Sequence, residues 1–263
     1  MSWFDLGVNL LSSQFDSDRE QVLARAHQAG ISKLLLIASD LTETAHNQHW
    51  CSQHTACVST AGVHPHQAEH IADDWLEQLR QLVAHPSVVA IGECGLDFNR
   101  NFSSQSAQVT VFSAQLALAQ ELQLPVYLHE RDAFTTQIAL LKEHHVRHGI
   151  AHCFTGNSDQ LKAYLDLGLY IGITGWLCDE RRNQELVAAL QYLPLDRICL
   201  ETDAPYLLPR TLQPKPKSRR NEPAFLLAIA QQLAKLKNIT LEQLQQHCWH
   251  NSLTLLQQAG GAE

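Results

Sequence analysis

The chain has 263 residues, a formal net charge of −8 and a hydrophobic fraction of 45%. This apolar fraction excludes a mainly disordered protein, and the negative charge argues against one that coats DNA by bulk electrostatic attraction. Residues 1–263 are expected to form one domain, because this length suits a single α/β barrel of about 250 residues.

The first predicted strand, Trp3–Leu10, has no cluster of basic residues before it. No apolar run approaches the roughly 20 residues needed to span a membrane, so we expect a cytoplasmic protein with no membrane partner. We expect this protein to act as a monomer. Seven scattered cysteines without a CxxC pair predict no disulfide framework.

Helix boundaries can be predicted near both ends of the chain. Ser17 and Glu20 are spaced as a capping box, and Gly30 can end the helix that they begin. Thr240 and Gln243 have the same spacing, which predicts a second capped helix close to the carboxyl terminus.

Short apolar runs alternate with longer amphipathic segments along the whole chain, which is typical of repeated βα units. Eight such units without an evident linker favour a closed (β/α)8 barrel, the TIM barrel, over an open doubly wound sheet. The open sheet is further disfavoured because the chain has neither a GxGxxG fingerprint nor a GxxxxGK phosphate loop. The eight predicted strands are Trp3–Leu10, Lys33–Ala38, Cys57–Val63, Val88–Glu93, Pro125–His129, Gly149–His152, Leu169–Thr174 and Arg197–Glu201.

Residues that can bind a metal ion stand at or just after the ends of four predicted strands: Glu93, His129, His152 and Asp203. The carboxyl ends of parallel barrel strands face one rim, so these side chains can converge there. Imidazoles and carboxylates together suit Zn²⁺, Mn²⁺ or other transition metals, whereas Mg²⁺ prefers oxygen ligands. Each histidine alone could instead be a hydrogen-bonded core residue, and the carboxylates could form structural ion pairs.

Two further groups could contact substrate at the same rim. His64 could bind a metal or the scissile phosphate and His66 could contact substrate, although solvated loop histidines would give the same pattern. A basic tract follows the eighth predicted strand, where barrels often bind phosphate, but it could also be ordinary surface charge. It contains Arg210, Lys215, Lys217, Arg219 and Arg220, of which Arg210 and Arg220 are the candidate phosphate ligands.

Six motifs distributed along nearly the whole chain resemble the TatD family of metal-dependent deoxyribonucleases. The resemblance implies a TIM-barrel hydrolase with a divalent metal, acting as a 3′ to 5′ exonuclease on single-stranded DNA and RNA. The residues that match the family's metal ligands are Glu93, His129, His152 and Asp203, and Asp203 also matches the group that orients or deprotonates the attacking water. The motifs are Ala61–His66, Gly92–Phe98, His152–Gly156, Ile171–Trp176, Glu201–Tyr206 and Arg219–Pro223.

The first predicted strand departs from the family pattern. Many members begin with Asp-x-His-x-His, whereas this chain reads Asp5-Leu6-Gly7-Val8-Asn9. Gly7 offers no side-chain ligand, but Asn9 could offer a carbonyl oxygen at the site. Because two nitrogen donors are missing, we expect a more oxygen-rich site that prefers Mg²⁺, with Mn²⁺ or Zn²⁺ as alternatives. The number of bound ions stays open.

Two other functions fit parts of this pattern. A metal-dependent amidohydrolase or aminoacyl-ester hydrolase could use the same site to activate water against a carbonyl carbon. A non-enzymatic interaction protein is the second alternative, but it leaves the converging Glu, His and Asp residues without a purpose. The sequence does not distinguish a preference for DNA from one for RNA.

Overall fold

The computed structural model describes residues 2–257, and within them eight parallel strands form one sheet in chain order. The last strand returns to the first, because the Asn9 N–H donates to the Ala204 carbonyl at 2.7 Å and Val8 forms a parallel bridge with Ala204. The expected (β/α)8 barrel is therefore confirmed. The strands β1 to β8 are Trp3–Val8, Ile31–Leu36, Cys57–Ala61, Val88–Asp97, Val126–Arg131, Gly149–Ala151, Tyr170–Ile173 and Ile198–Leu200.

A helix follows each strand, and one more closes the described part of the chain. None of the helices within residues 2–257 is both long enough and apolar enough to cross a membrane. The helices α1 to α9 are Arg19–Gln28, Leu41–Gln53, Trp75–Val83, Gln105–Leu122, Phe134–Glu143, Ser158–Asp166, Gln184–Leu190, Leu226–Lys237 and Leu241–Leu255.

The helix boundaries confirm one predicted capping box and correct the other. Thr240 and Gln243 form a reciprocal capping box at the start of α9, as predicted. At α1 the prediction was wrong: the N-cap residue is Asp18, and its carboxylate makes no cap hydrogen bond. That carboxylate pairs with two arginines instead, so a tertiary ion-pair network outcompetes the local cap.

Apolar side chains are buried on both sides of the sheet. The larger cluster lies between the strands and the surrounding helices, with Leu34, Phe112 and Leu161 among its members. A smaller cluster collects side chains from most of the strands, including Leu6 and Tyr127, as expected for a barrel interior filled by side chains. Because side chains fill the barrel interior, we expect substrate to bind at the rim.

The strand ends differ from the predicted ones in a way that matters for the site. β4 continues to Asp97, four residues beyond Glu93, so both carboxylates belong to one strand. β6 and β8 end earlier than predicted, at Ala151 and Leu200, so the residues that follow them lie in rim loops.

Candidate functional site

Glu93 stands at the centre of a group of three histidines. Its Oε1 atom lies 2.9 Å from His129 Nδ1, 3.7 Å from His64 Nε2 and 3.9 Å from His152 Nε2. Burial alone would raise the pKa of this carboxyl, but the three imidazoles hold it well below its usual range. Glu93 is therefore an anion at neutral pH, as a cation ligand must be.

His129 carries the observation that best supports a cation site. Its Nε2 atom is buried and has no hydrogen-bond partner within the described chain, and the nearest carboxylate oxygen, on Asp97, is 3.6 Å away. Buried polar atoms without a partner are rare, because losing water without replacing its hydrogen bonds is costly. Ligand atoms of His64, Glu93 and His129 lie within 4.8 Å of one another. A metal ion would satisfy the orphaned nitrogen.

His152 is fixed in orientation by two buried groups. Its Nδ1 atom lies 2.9 Å from Glu201 Oε2 and 2.6 Å from the Tyr127 hydroxyl, which itself donates to Glu201 Oε1 at 3.1 Å. A carboxylate only accepts hydrogen bonds, so Nδ1 carries a proton, and Nε2, on the side of Glu93, is the nitrogen that a cation would bind. Carboxylates orient metal-binding histidines in this way.

The imidazoles of His152 and His129 hold protons that a cation would have to displace. Burial lowers the pKa of His152, but the charges of Glu201 and Glu93 outweigh it and raise the pKa to about 10. In His129 the carboxylates of Asp97 and Glu93 likewise outweigh burial, so its pKa rises to about 9. Metal binding at neutral pH is therefore expected to release protons.

His64 and His66 occupy the loop after β3, as predicted, but they have different partners. The His66 peptide N–H donates to His64 Nδ1 at 3.1 Å, so the proton of neutral His64 is on Nε2, which faces Glu93. Burial lowers the pKa of His64 to about 3, so this ring is neutral. His66 Nε2 lies 2.7 Å from Asp97 Oδ2. His64 is thus better suited to donate a hydrogen bond than to bind a metal.

Asp203 lies in the loop after β8, with φ near 54° in the left-handed region. One of its carboxylate oxygens lies within 4.8 Å of a ring nitrogen of His152 and of the sulfur of Cys153, all atoms that can bind a metal. Burial raises the pKa of Asp203 to about 7; Glu93 adds to the increase, whereas His152 and Asn9 oppose it. The Asn9 amide donates to Asp203 Oδ1 at 3.1 Å, so Asn9 orients this carboxylate.

Tyr127 fills the space next to Gly7 on β1. A Cβ atom added to Gly7 would lie closer than 3.0 Å to the Tyr127 hydroxyl and 3.5 Å from Glu201 Cβ. That hydroxyl is the group that contacts His152 and Glu201. A side chain at position 7 is therefore incompatible with the present arrangement of the site.

The structure does not bring the predicted phosphate-binding arginines into this cluster. The Arg220 guanidinium pairs with Asp18 at 2.7 Å and Glu222 at 2.9 Å, and its side chain is only 18% exposed. Arg210 is exposed, and its nearest carboxylate is Asp179 at 3.8 Å. Arg220 therefore ties the loop after β8 to α1, and its charge is already compensated.

Three buried residues of the site were not predicted: Asp97, Tyr127 and Glu201. Side chains alternate along a strand, so residues two or four apart share a face. Tyr127 is two residues before His129 on β5, and Asp97 is four residues after Glu93 on β4. This periodicity could have indicated both residues.

A parallel barrel with clustered histidines and carboxylates at its carboxyl rim is the architecture of a metal-dependent hydrolase. The family model described as TatD related DNase matches residues 4–257. The chain belongs to this family, which confirms the resemblance seen in its motifs.

Curated relatives cover nearly the whole chain. A Rahnella sp. (strain Y9602) protein named 3'-5' ssDNA/RNA exonuclease TatD is 55% identical over 234 residues, covering 88% of this chain and 89% of that protein. A Klebsiella pneumoniae (strain 342) protein with the same name is 50% identical over 254 residues, covering 96% and 97%.

Solved structures share the fold. A TatD homolog from Escherichia coli K12 is 30% identical, with a TM-score of 0.89 over 96% of this chain and 97% of that chain. A TatD family hydrolase from Entamoeba histolytica is 26% identical, with a TM-score of 0.89 over 97% and 98%. An amidohydrolase from Saccharomyces cerevisiae, 21% identical with a TM-score of 0.86 over 97% and 99%, supports the fold alone.

Proposed function

We propose that this chain is a metal-dependent exonuclease that removes nucleotides from the 3′ end of single-stranded DNA and RNA. The observation that carries the proposal is the cluster of Glu93, His129 and His152 at the carboxyl rim, with Asp203 beside it. Substrate and polarity are those in the names of relatives that are 50% and 55% identical.

Each residue of the cluster has a role that follows from its contacts. Glu93, His129 and His152 would hold a divalent cation, which when bound polarises a phosphoryl oxygen and lowers the pKa of a coordinated water. His64 would donate a hydrogen bond from its Nε2–H to an oxygen of the scissile phosphate, because its Nδ1 already accepts one from the His66 N–H. Asp203, with its pKa raised to about 7 chiefly by burial, would accept the proton of the attacking water.

The donor set also bears on the identity of the metal. Two imidazole nitrogens and one carboxylate suit Mn²⁺ or Zn²⁺, whereas Mg²⁺ prefers an all-oxygen shell with several waters. The expectation of Mg²⁺ rested on the missing histidines of β1, and the remaining ligands work against it. We therefore propose Mn²⁺ or Zn²⁺ ahead of Mg²⁺, and all three should be compared on protein stripped of metal.

The alternative of an amidohydrolase or aminoacyl-ester hydrolase has weaker support. The Saccharomyces cerevisiae amidohydrolase is 21% identical, so its similarity supports a shared fold alone. Relatives at 50% identity or more have the exonuclease name. A small neutral amide is therefore expected not to be hydrolysed.

The test uses one single strand labelled at its 5′ end and a circular strand of the same sequence. We expect a metal-dependent ladder that shortens from the 3′ end of the linear strand, with the circle untouched. Glu93→Gln should abolish the ladder, whereas Glu121→Gln, which changes an exposed carboxylate paired with Arg80, should preserve it. Comparable cleavage of the circle would show endonuclease action and contradict the proposal.

The protein's location and assembly are further parts of the proposal. We propose a cytoplasmic monomer, in keeping with the sequence expectation. Cell fractionation and light scattering of the purified protein measure the two properties directly, and a dimer in solution would contradict the second.

A further inference from the structure

Two exposed aromatic side chains stand at the rim of the proposed active site. Phe102 is 60% exposed and Tyr206 is 52% exposed, although large hydrophobic side chains are normally covered. Phe102 lies in the loop between β4 and α4, and Tyr206 lies in the loop after β8. Both loops leave the carboxyl ends of strands, where barrel enzymes bind their substrates.

Phe102 is adjacent to the histidine cluster. Its ring meets the His66 ring edge to face, with centroids 4.8 Å apart and an interplanar angle of 88°. His66 is in turn 2.7 Å from Asp97, whose other neighbour is His129. The exposed ring of Phe102 is therefore connected to the proposed metal ligand His129 through His66 and Asp97.

Tyr206 is adjacent to the other part of the site. Its peptide N–H donates to the Asp203 carbonyl at 2.9 Å. Burial and the charges of Asp203 and Glu43 raise the pKa of its phenol. In an eight-stranded ring β4 and β8 stand opposite each other, so Phe102 and Tyr206 flank the site from opposite sides.

The overall charge of this protein and the ion pairs of one arginine weaken its electrostatic attraction to phosphates. The chain has a net charge of −8, and Arg220 is already paired with two carboxylates. Proteins that bind single strands have a second means, the stacking of bases on aromatic side chains, which works with any base sequence. Exposed aromatic rings beside the site provide that means.

We propose that Phe102 and Tyr206 are stacking platforms for two bases near the 3′ end of a single strand, one on each side of the proposed active site. This proposal rests on the proposed nuclease function, and it describes how the proposed active site recognises a single strand. Base stacking, unlike phosphate contact, releases no counterions, so the part of the affinity that these two rings supply should depend only weakly on salt.

The chain offers a matched control in Tyr192. This tyrosine is 50% exposed, but it lies between α7 and β8 at the opposite end of the barrel, where Lys162 sits 4.5 Å from its ring centroid. Removing its ring deletes a similar exposed aromatic surface far from the rim. Tyr192→Ala should therefore leave strand binding unchanged.

The experiment measures KM and kcat for nucleotide release from two single strands, one complete and one whose last two 3′ nucleotides lack bases. On the complete strand, Phe102→Ala and Tyr206→Ala should each raise KM about tenfold, with kcat nearly unchanged. On the abasic strand, which loses both stacking contacts, the wild type should show a KM raised about a hundredfold, and the two substitutions should add little. Phe102→Trp and Tyr206→Phe should restore the wild-type KM.

The possible failures are distinguishable. If the wild type degrades neither strand with any metal, the proposed nuclease function is wrong. If the wild type degrades both strands and the alanine variants keep its KM on the complete strand, the stacking proposal is wrong and the nuclease function stands. An equal rise of KM in Tyr192→Ala would also overturn the stacking proposal.

Discussion

Replacing Gly7 with alanine should destabilise the protein, although the change adds only one methyl group. Gly7 lies in β1 outside the left-handed region, so its backbone conformation does not require glycine. The added Cβ would lie closer than 3.0 Å to the fully buried hydroxyl of Tyr127. Relieving that clash means moving a hydroxyl that also contacts His152 and Glu201.

The expected loss in the free energy of unfolding can be worked out first for Gly7→Ala and Tyr127→Phe separately. Overpacking a buried site costs about 1–3 kcal/mol, so Gly7→Ala should lower the free energy of unfolding by that amount. Tyr127→Phe removes a buried hydrogen bond to a carboxylate and should cost about 1.5–3 kcal/mol. In the Tyr127→Phe background the obstructing oxygen is gone and the contact with Ile37 Cδ1, at 3.3 Å, remains, so Gly7→Ala should cost no more than about 0.5 kcal/mol.

Urea unfolding of the wild type, the two single variants and the double variant measures this coupling. We expect the double variant to be more stable than the sum of the single changes predicts, by at least about 0.5 kcal/mol. Tyr164→Phe is the control. Tyr164 is also buried, but none of its atoms is among the three nearest to a Cβ added at Gly7. Additive effects of Gly7→Ala and Tyr127→Phe would refute the steric reasoning.

Three other predictions concern the orientation of a ligand, proton transfer and the basic tract. Glu201→Gln removes the carboxylate that orients His152, so calorimetry should show metal affinity lowered about 10- to 100-fold; unchanged affinity would exclude the orienting role. Asp203→Asn should abolish hydrolysis at every pH while the fold persists, and near-normal turnover would show that Asp203 is not the base. Arg220→Gln should lower the free energy of unfolding by about 1 kcal/mol at pH 7. The pair with Arg220 lowers the pKa of Asp18 to about 2, so Arg220→Gln should cost its full amount of stability above about pH 4. The cost should vanish as the pH falls through 2, where Asp18 becomes protonated. Equal losses of stability at pH 7 and pH 2 would contradict this prediction.

The barrel could be predicted from the sequence because its signal is local. Each strand is a short apolar run and each helix an amphipathic segment, so their alternation does not depend on distant residues. The metal-binding candidates Glu93, His129 and His152 could be found for the same reason: each ends a predicted strand, and parallel strands share a rim.

The partners of these residues could not all be found in the same way. Arg220 pairs with Asp18, which is 202 residues away, and no sequence pattern links the two positions. The proximity of Tyr127 to Gly7 depends on how two non-neighbouring strands face each other across the barrel interior. Such contacts follow from closure of the sheet, which local patterns do not specify.

The central claim is that Glu93, His129 and His152 hold the cation that makes the protein a nuclease. The most direct measurement strips the protein of metal, adds Mn²⁺ stepwise, and records bound metal and release of 3′ nucleotides in the same samples. For the wild type, both signals should rise together, whereas Glu93→Gln should lose both and keep the folded spectrum of the wild type. Full nucleotide release by a folded Glu93→Gln protein, or by wild type with no metal bound, would contradict the claim.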